Sequence, residues 1–365
     1  MERLTHIVFT VTNDLNYDQR MQRISSTLAD NRYKVTLVGF NKKNSQPVIN
    51  QNFDQQRITV LFKKGKLFFI EYNIRLFFWL LFRKFDMYGA IDLDTVMPVF
   101  INAKLKGKIC VYDAHEFYEE LPELVDRPVI QKFWKTVAKI FLSRIKNNYT
   151  VSQSIADALS DKYKQPYSVI RNVPILQKES SEQHAKQNQI LYQGALNKGR
   201  GLEELIDAME MINADLIIAG EGDLSNEIRA FAAGKNYSHR IHFTGLLSPE
   251  ALKEKTLQAK VGVNLVAHLG LSYYYSLSNK FFDYIQAGIP QVTMDFPEYR
   301  LINSKYNIAI LIDSLSAEKI AEAVNALLNN TTLYNTLSEN TESAKQELNW
   351  SNEQKKLLEF YKHVK

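Results

Sequence analysis

The chain has 365 residues, of which 45% are hydrophobic and 23% charged, and its formal net charge is +5. That length exceeds one ordinary core and suits two domains, while the composition excludes a disordered or fibrous chain. A single cysteine, Cys110, excludes an internal disulfide framework, and its apolar surroundings in Ile109-Cys110-Val111 read as core filling.

The first residues, MERLTHIVFTV, lack the layout of a secretory signal, so a cytoplasmic protein is expected. Strands are predicted at 6–11, 34–40, 58–62, 109–114 and 148–152, with helices at 18–31, 68–84, 128–146 and 153–163. Short apolar strands alternating with helices imply a parallel sheet covered on both faces. Within this half, Lys63, Lys64 and Lys66 precede the sixteen-residue run LFFIEYNIRLFFWLLF, which Arg83 and Lys84 close. Containing Glu71 and Arg75, the run is too short and too charged to span a bilayer. It predicts a helix buried on the sheet or, alternatively, one lying on a membrane surface, so 63–85 is a candidate for peripheral contact with the inner face of the membrane. No other cluster interleaves aromatic residues with cations, which excludes nucleic acid as the expected partner.

After YSVIRNVPIL (167–176), the polar run KESSEQHAKQNQ reads as a linker. The alternation then restarts with ILYQGA, helix 201–212, ADLIIAG, helix 223–233, RIHFTG, helix 248–258, VGVNLV, a helix near 277–287, PQVTM and helix 316–329. The expected fold is therefore α/β, with two doubly wound, Rossmann-like domains facing a cleft. Their expected limits are 1–172 and 173–348, and the helical pattern over 349–365 is expected to pack back on the first domain.

The chemistry lies in the turns of the second half. In YQGALNKGRGLEELIDAM a strand passes through Gly194, Gly199 and Gly201 into a helix, with Lys198 and Arg200 in the loop. Glycines allow a tight backbone, and two cations before a helix N-terminus suit a phosphate. The spacing is neither GxGxxG nor that of a Walker loop. In SLSNKFFDYIQAGIP, Lys280 stands in the first helical turn, where the macrodipole disfavours a cation unless an external anion is present. Ser276 or Ser278 is the expected cap, amides near Ser278, Asn279 and Lys280 are expected to be free, and Asp283 one turn on suits a ribose diol. The plain alternative is a Lys280–Asp283 surface pair.

These runs, with AGEGDLSNEI, IHFTGLLSPEAL, VYDAHEFYEE, YTVSQSIADAL and VIRNVP, resemble the family 4 (group 1) glycosyltransferases of GT-B fold over nearly the whole chain. The resemblance implies a donor diphosphate on Lys198 and Arg200, ribose on Asp283, and the base near Gly245 and Leu246. It also implies retention of configuration, no cofactor and no metal ion, the leaving diphosphate being stabilised by cations and amides. Two positions depart from the pattern: Ala195 replaces an arginine after Gly194, and Tyr275 replaces a sugar-contacting glutamate.

For the first half the expectation is acceptor binding. His115, at the end of a strand, is expected to be neutral and to touch the donor sugar or its phosphate, and Glu116 follows it. Asn13, Asp14 and Arg20 are acceptor candidates, with Asp18 as a helix cap; IDLDT adds Asp92 and Asp94. The function expected is transfer of a sugar from a nucleoside diphosphate sugar, of UDP or GDP type, to a saccharide or lipid-linked acceptor. The cationic residues Lys198, Arg200 and Lys280 join His115 as the catalytic set. A nucleotide-sugar epimerase and a silent scaffold for another transferase are the competing readings.

Overall fold

The structure, a computed structural model, describes residues 3–41, 45–62, 65–176 and 185–364. Lys63, Lys64 and most of the expected linker, up to residue 184, lie outside the described residues. The chain forms two compact units, one of Met1–Asn172 with Glu353–Lys365 and the other of Val173–Asn352.

The first unit holds seven parallel strands: β1 Thr5–Thr10, β2 Tyr33–Phe40, β3 Asp54–Ile58, β4 Met87–Ile91, β5 Ile109–Ala114, β6 Asn147–Thr150 and β7 Tyr167–Val169. Their order is β3-β2-β1-β4-β5-β6-β7, so the direction of winding reverses between β1 and β4. Strand β3 lies earlier than the expected 58–62 because it pairs with β2 in the register Thr36 to Asp54. It is an edge strand, and its sequence DQQRI needs few apolar residues. Strand β4, MYGAI, was hidden because it lacks alternation; it is buried throughout, and a side chain at Gly89 would meet the Phe9 ring at 2.4 Å. Residues Glu353–Lys365 group with this unit, where the Tyr361 ring lies 6.1–6.3 Å from those of Tyr33, Phe9 and Tyr149.

The second unit holds six parallel strands: β8 Gln189–Gln193, β9 Asp215–Ala219, β10 Ile241–Gly245, β11 Val261–Asn264, β12 Gln291–Met294 and β13 Ala309–Ile312. The order β10-β9-β8-β11-β12-β13 puts the reversal between β8 and β11. Side chains alternate across β8: Ile190 and Tyr192 enter the larger core, Leu191 the smaller one on the opposite face. In such sheets ligands collect beyond the carboxyl ends of the strands at the reversal. The segments leaving β8 and β11 carry the glycine loop and Lys280.

Candidate functional site

Three glycines end the strands at this edge. Gly194 N–H donates to the Ala219 carbonyl at 2.9 Å, and Gly220 N–H donates to the Gly245 carbonyl at 2.9 Å, so the ladders run on past the strands into a fan of bare backbone. A methyl on Gly220 would lie 1.9 Å from the Gly194 oxygen, which only hydrogen can avoid. Beyond Gly194, the loop is pinned where the Gly199 carbonyl accepts from Ala267 N–H at 2.9 Å, and a Cβ on Gly199 would meet Leu269 at 2.5 Å. The loop thus exposes Lys198 while the Arg200 guanidinium lies over the Tyr273 ring, 4.4 Å from its centre.

Lys280 sits in the first turn of the helix Asn279–Gln286, buried, with its Nζ 3.9 Å from the centre of the Tyr192 ring. That Nζ makes no hydrogen bond. The surface pair with Asp283 is therefore not formed, and a Cβ built on Gly194 would be 3.4 Å from the amine. Burial first, and then the charge of Arg200, hold the amine well below the usual lysine range. A buried amine without a partner is costly and has to be offset elsewhere or satisfied by a ligand.

The capping expectation is corrected. Ser278 is the N-cap but makes no side-chain cap bond; its hydroxyl donates to Asn264 Oδ1 at 2.8 Å, and Ser276 donates to the Tyr273 carbonyl. With the hydroxyl drawn to β11, the first turn keeps no side-chain cap, which favours an anion there. Asp283 Oδ2 accepts from Gln193 Nε2 at 2.7 Å, and Gln193 Oε1 accepts from Thr256 at 3.0 Å. This buried chain orients the carboxylate. Gly245 has a φ of +69° and Leu246 beside it is 79% exposed. Ala195 is exposed, and Tyr275 follows a short helix in which Tyr274 stacks on His268 at 4.3 Å.

The sequence reading missed Gly220, Tyr192 and Gln193. Tyr192 and Gln193 lie in the apolar run of β8, where nothing marks them as neighbours of Lys280 and Asp283. A glycine after a buried strand was the available signal for Gly220.

In the first unit the carboxyl ends of β1, β4 and β5 gather Thr12, Asp94, Asp92 and His115. The Thr12 hydroxyl donates to Asp94, and His115 N–H donates to Asp92 Oδ1 at 2.8 Å. Asp92 has a φ of +55° and a ψ of 177°, a region that costs a residue other than glycine about 1–3 kcal/mol. Burial pushes the Asp92 carboxyl up to about 8 and that of Asp94 to about 6. His115 Nε2 bonds Asp113 at 3.0 Å. Burial alone would lower its pKa, but the Asp113 and Asp92 carboxylates outweigh it and raise it to about 9. Against the expected neutral imidazole, these carboxyls favour the charged form.

Arg20 is corrected as well. It is 3% exposed, and its guanidinium is committed to both Asp113 oxygens at 2.9 and 3.2 Å and to the Ile170 carbonyl. Asp14 is likewise buried, bonded to Arg57 at 2.8 Å and to Ser45 at 2.7 Å, so both residues hold the domain together rather than offering groups to an acceptor. Asp18 accepts from Met21 N–H as the helix cap, and exposed Asn13 donates to Asp18 at 3.1 Å. Glu116 is exposed beside His115. Among the described residues, no group of three or more His, Cys, Asp or Glu is placed to hold a metal ion.

His115 yields a stability prediction. Its folded pKa lies above the unfolded value near 6.5, so its contribution is full below pH 6.5 and is lost as pH rises through about 9. Asp92, also raised, titrates in the same direction and is coupled to it. Urea unfolding should show the first unit weakening by about 2–3 kcal/mol between pH 6.5 and 9.5, and His115→Gln should flatten most of that slope. Equal slopes in the two proteins would exclude the charged histidine.

Two parallel-sheet domains of this kind are the GT-B fold of glycosyltransferases. Residues 175–344, nearly the whole second unit, match the family model "Glycosyl transferases group 1". Among solved structures, the chain is similar to Anabaena HepE in complex with UDP and glucose, with a TM-score of 0.80, 14% identity and coverage of 99% of this chain and 100% of that one. Sucrose-phosphate synthase from Thermosynechococcus elongatus matches with a TM-score of 0.81, 16% identity and 99% of both chains. WaaG, a glycosyltransferase involved in lipopolysaccharide biosynthesis, matches at 0.74 and 15% identity, over 96% of this chain and 98% of that one. No curated protein sequence matches significantly.

Proposed function

We propose that this protein is a retaining, metal-independent transferase that moves a hexosyl or related sugar from a nucleoside diphosphate sugar to a saccharide or lipid-linked acceptor. It would serve cell-surface polysaccharide or glycoconjugate assembly on the cytoplasmic side of the membrane. The observation that carries the reading is the buried Lys280 amine, which makes no hydrogen bond and lies beside the glycine fan and an uncapped helix turn. A diphosphate there would meet Lys280, Arg200, Lys198 and first-turn amides from Ser278 to Lys280, which together stabilise it as it leaves. These residues supply the charge that a divalent cation provides in other transferases. Asp283, held by Gln193, would accept from the ribose hydroxyls, and Gly194, Gly245 and Leu246 would border the nucleoside. Anabaena HepE has been crystallised with UDP and with UDP-glucose, which favours uracil over guanine.

In the first unit, His115 as an imidazolium would bond the donor sugar or its phosphate, with Asn13, Asp94 and Glu116 on the acceptor side. Peripheral contact of 63–85 with the membrane completes the reading; among the described residues no helix is long and apolar enough to cross one.

Calorimetric titration of UDP and GDP without metal tests the donor site. UDP should bind, and Asp283→Ala should weaken it at least tenfold, about 1.4 kcal/mol, in a folded variant. An Asp283→Ala affinity equal to wild type would remove the ribose assignment. Transfer in the presence of a chelator, with the anomeric configuration read by NMR, tests metal independence and retention together.

A further inference from the structure

The sheet of the first unit reverses its winding between β1 and β4, and an open parallel sheet leaves a crevice beyond its strand ends at that place. The turns after β1, β4 and β5 meet there. Asp92 N–H donates to the Asp113 carbonyl at 2.9 Å while Asp92 Oδ1 accepts from His115 N–H, so the ends of β4 and β5 are clasped in both directions. The left-handed backbone of Asp92 is part of that clasp.

The clasp leaves carboxyl oxygens to be satisfied. Asp94 is 6% exposed; its Oδ2 accepts from the Thr12 hydroxyl, and its buried Oδ1 makes no hydrogen bond. Asp92 Oδ2 lies 3.8 Å from His115 Nδ1, beyond hydrogen-bond reach. Glu116 stands exposed at the rim. Burial and then the charges of Asp94, Asp92 and Glu116 raise the Tyr118 phenol, so these four side chains share one electrostatic field.

The cations beside them are Arg20 and His115. Arg20 is committed to Asp113 and the Ile170 carbonyl, and His115 Nε2 bonds Asp113 as well. Three acids thus face one imidazole Nδ1 and one phenol, a space rich in acceptors and poor in donors. A sugar hydroxyl brings one donor together with acceptor lone pairs, whereas an ammonium brings three donors and no acceptor. Burial raises the Asp92 and Asp94 carboxyls, and an ammonium between them would restore their charged forms. A phosphate or carboxylate would meet like charge.

We propose that the first unit recognises an amine on the acceptor: the sugar that receives the transferred residue carries an unacetylated ammonium group, held between Asp94 and Asp92 with Glu116 at the rim. The proposal rests on the transferase reading and narrows its saccharide acceptor to an amino sugar.

Saturation-transfer NMR of glucosamine, N-acetylglucosamine and glucose, each titrated into the whole chain near neutral pH, tests it beside a UDP titration. Glucosamine should bind at least about tenfold more tightly than the other two, the worth of a charge-assisted hydrogen bond. Asp94→Asn keeps the shape of the side chain but puts an amide donor among the acids, and it should abolish the preference. Should that variant fail to fold, Glu116→Gln decides: it alters an exposed position, and it should lower the preference about threefold with the urea midpoint unchanged. UDP binding with no preference for glucosamine, or with no binding of any of the three sugars, overturns the proposal and leaves the transferase reading standing. The preference in a protein that does not bind UDP upholds the amine site and removes the donor reading. A preference that neither variant lowers also overturns the proposal.

Discussion

Lys280→Met should make the folded protein more stable and the donor site nearly useless. The side chain is similar in length, fills the space over Tyr192 and removes a buried amine that makes no hydrogen bond. Replacing such a group by a well-packed apolar one typically stabilises by about 1–2 kcal/mol. The same change removes a charge-assisted bond to the proposed diphosphate, a loss of about 1.5–3 kcal/mol, or ten- to a hundredfold in UDP affinity. Because burial and Arg200 hold the free amine well below its ordinary pKa, binding an anion should draw a proton onto it. Titration heats for wild type should therefore differ between Tris and Pipes buffers, and the difference should vanish in Lys280→Met. By linkage, the depressed pKa also makes the free second unit gain stability as pH rises toward the ordinary amine range, a slope that Lys280→Met abolishes. Unchanged UDP affinity in this variant would remove Lys280 from the donor site.

Gly220→Ala is expected to cost at least about 3 kcal/mol, since its methyl would lie 1.9 Å from the Gly194 oxygen and 2.9 Å from the Gly194 carbonyl carbon. Both are backbone atoms, so relief requires β8 and β9 to part and breaks the bonds from Gly194 to Ala219 and from Gly220 to Gly245. The φ of +150° adds strain of its own. Gly194→Ala is the contrast: its Cβ would meet only the flexible end of Lys280, at 3.4–3.5 Å, so stability should fall less while UDP binding falls by crowding of the amine. Urea midpoints for the two variants, beside their UDP titrations, would separate the effects. A Gly220→Ala midpoint equal to wild type would mean that the three strand ends do not converge.

Much of the second unit was legible because its strands and helices alternate cleanly, and because Lys280 is electrostatically out of place in a first helical turn. Where legibility failed, the missing elements had weak local signals. Strand β4 is buried on both faces and shows no alternation, β3 is a polar edge, and the helices Pro297–Tyr306 and Thr331–Glu347 bury few residues and so carry a weak apolar period. Arg20 and Asp14 were read as ligands because exposed loop polar groups usually are; their partners Asp113 and Arg57 lie 93 and 43 residues away, beyond any local pattern.

The sequence by itself determined two doubly wound halves, a cationic glycine loop and a lysine placed against the helix dipole, since each follows from composition and spacing within some twenty residues. Only the tertiary structure decided that Lys280 is buried over Tyr192 without a hydrogen bond, that Gln193 orients Asp283, that Gly220 leaves no room for a side chain, and that the Asp113 and Asp92 carboxyls lie against His115. Periodicity records which face of a segment avoids water. It does not record which distant residue that face will meet, and burial, pairing and pKa are properties of the meeting.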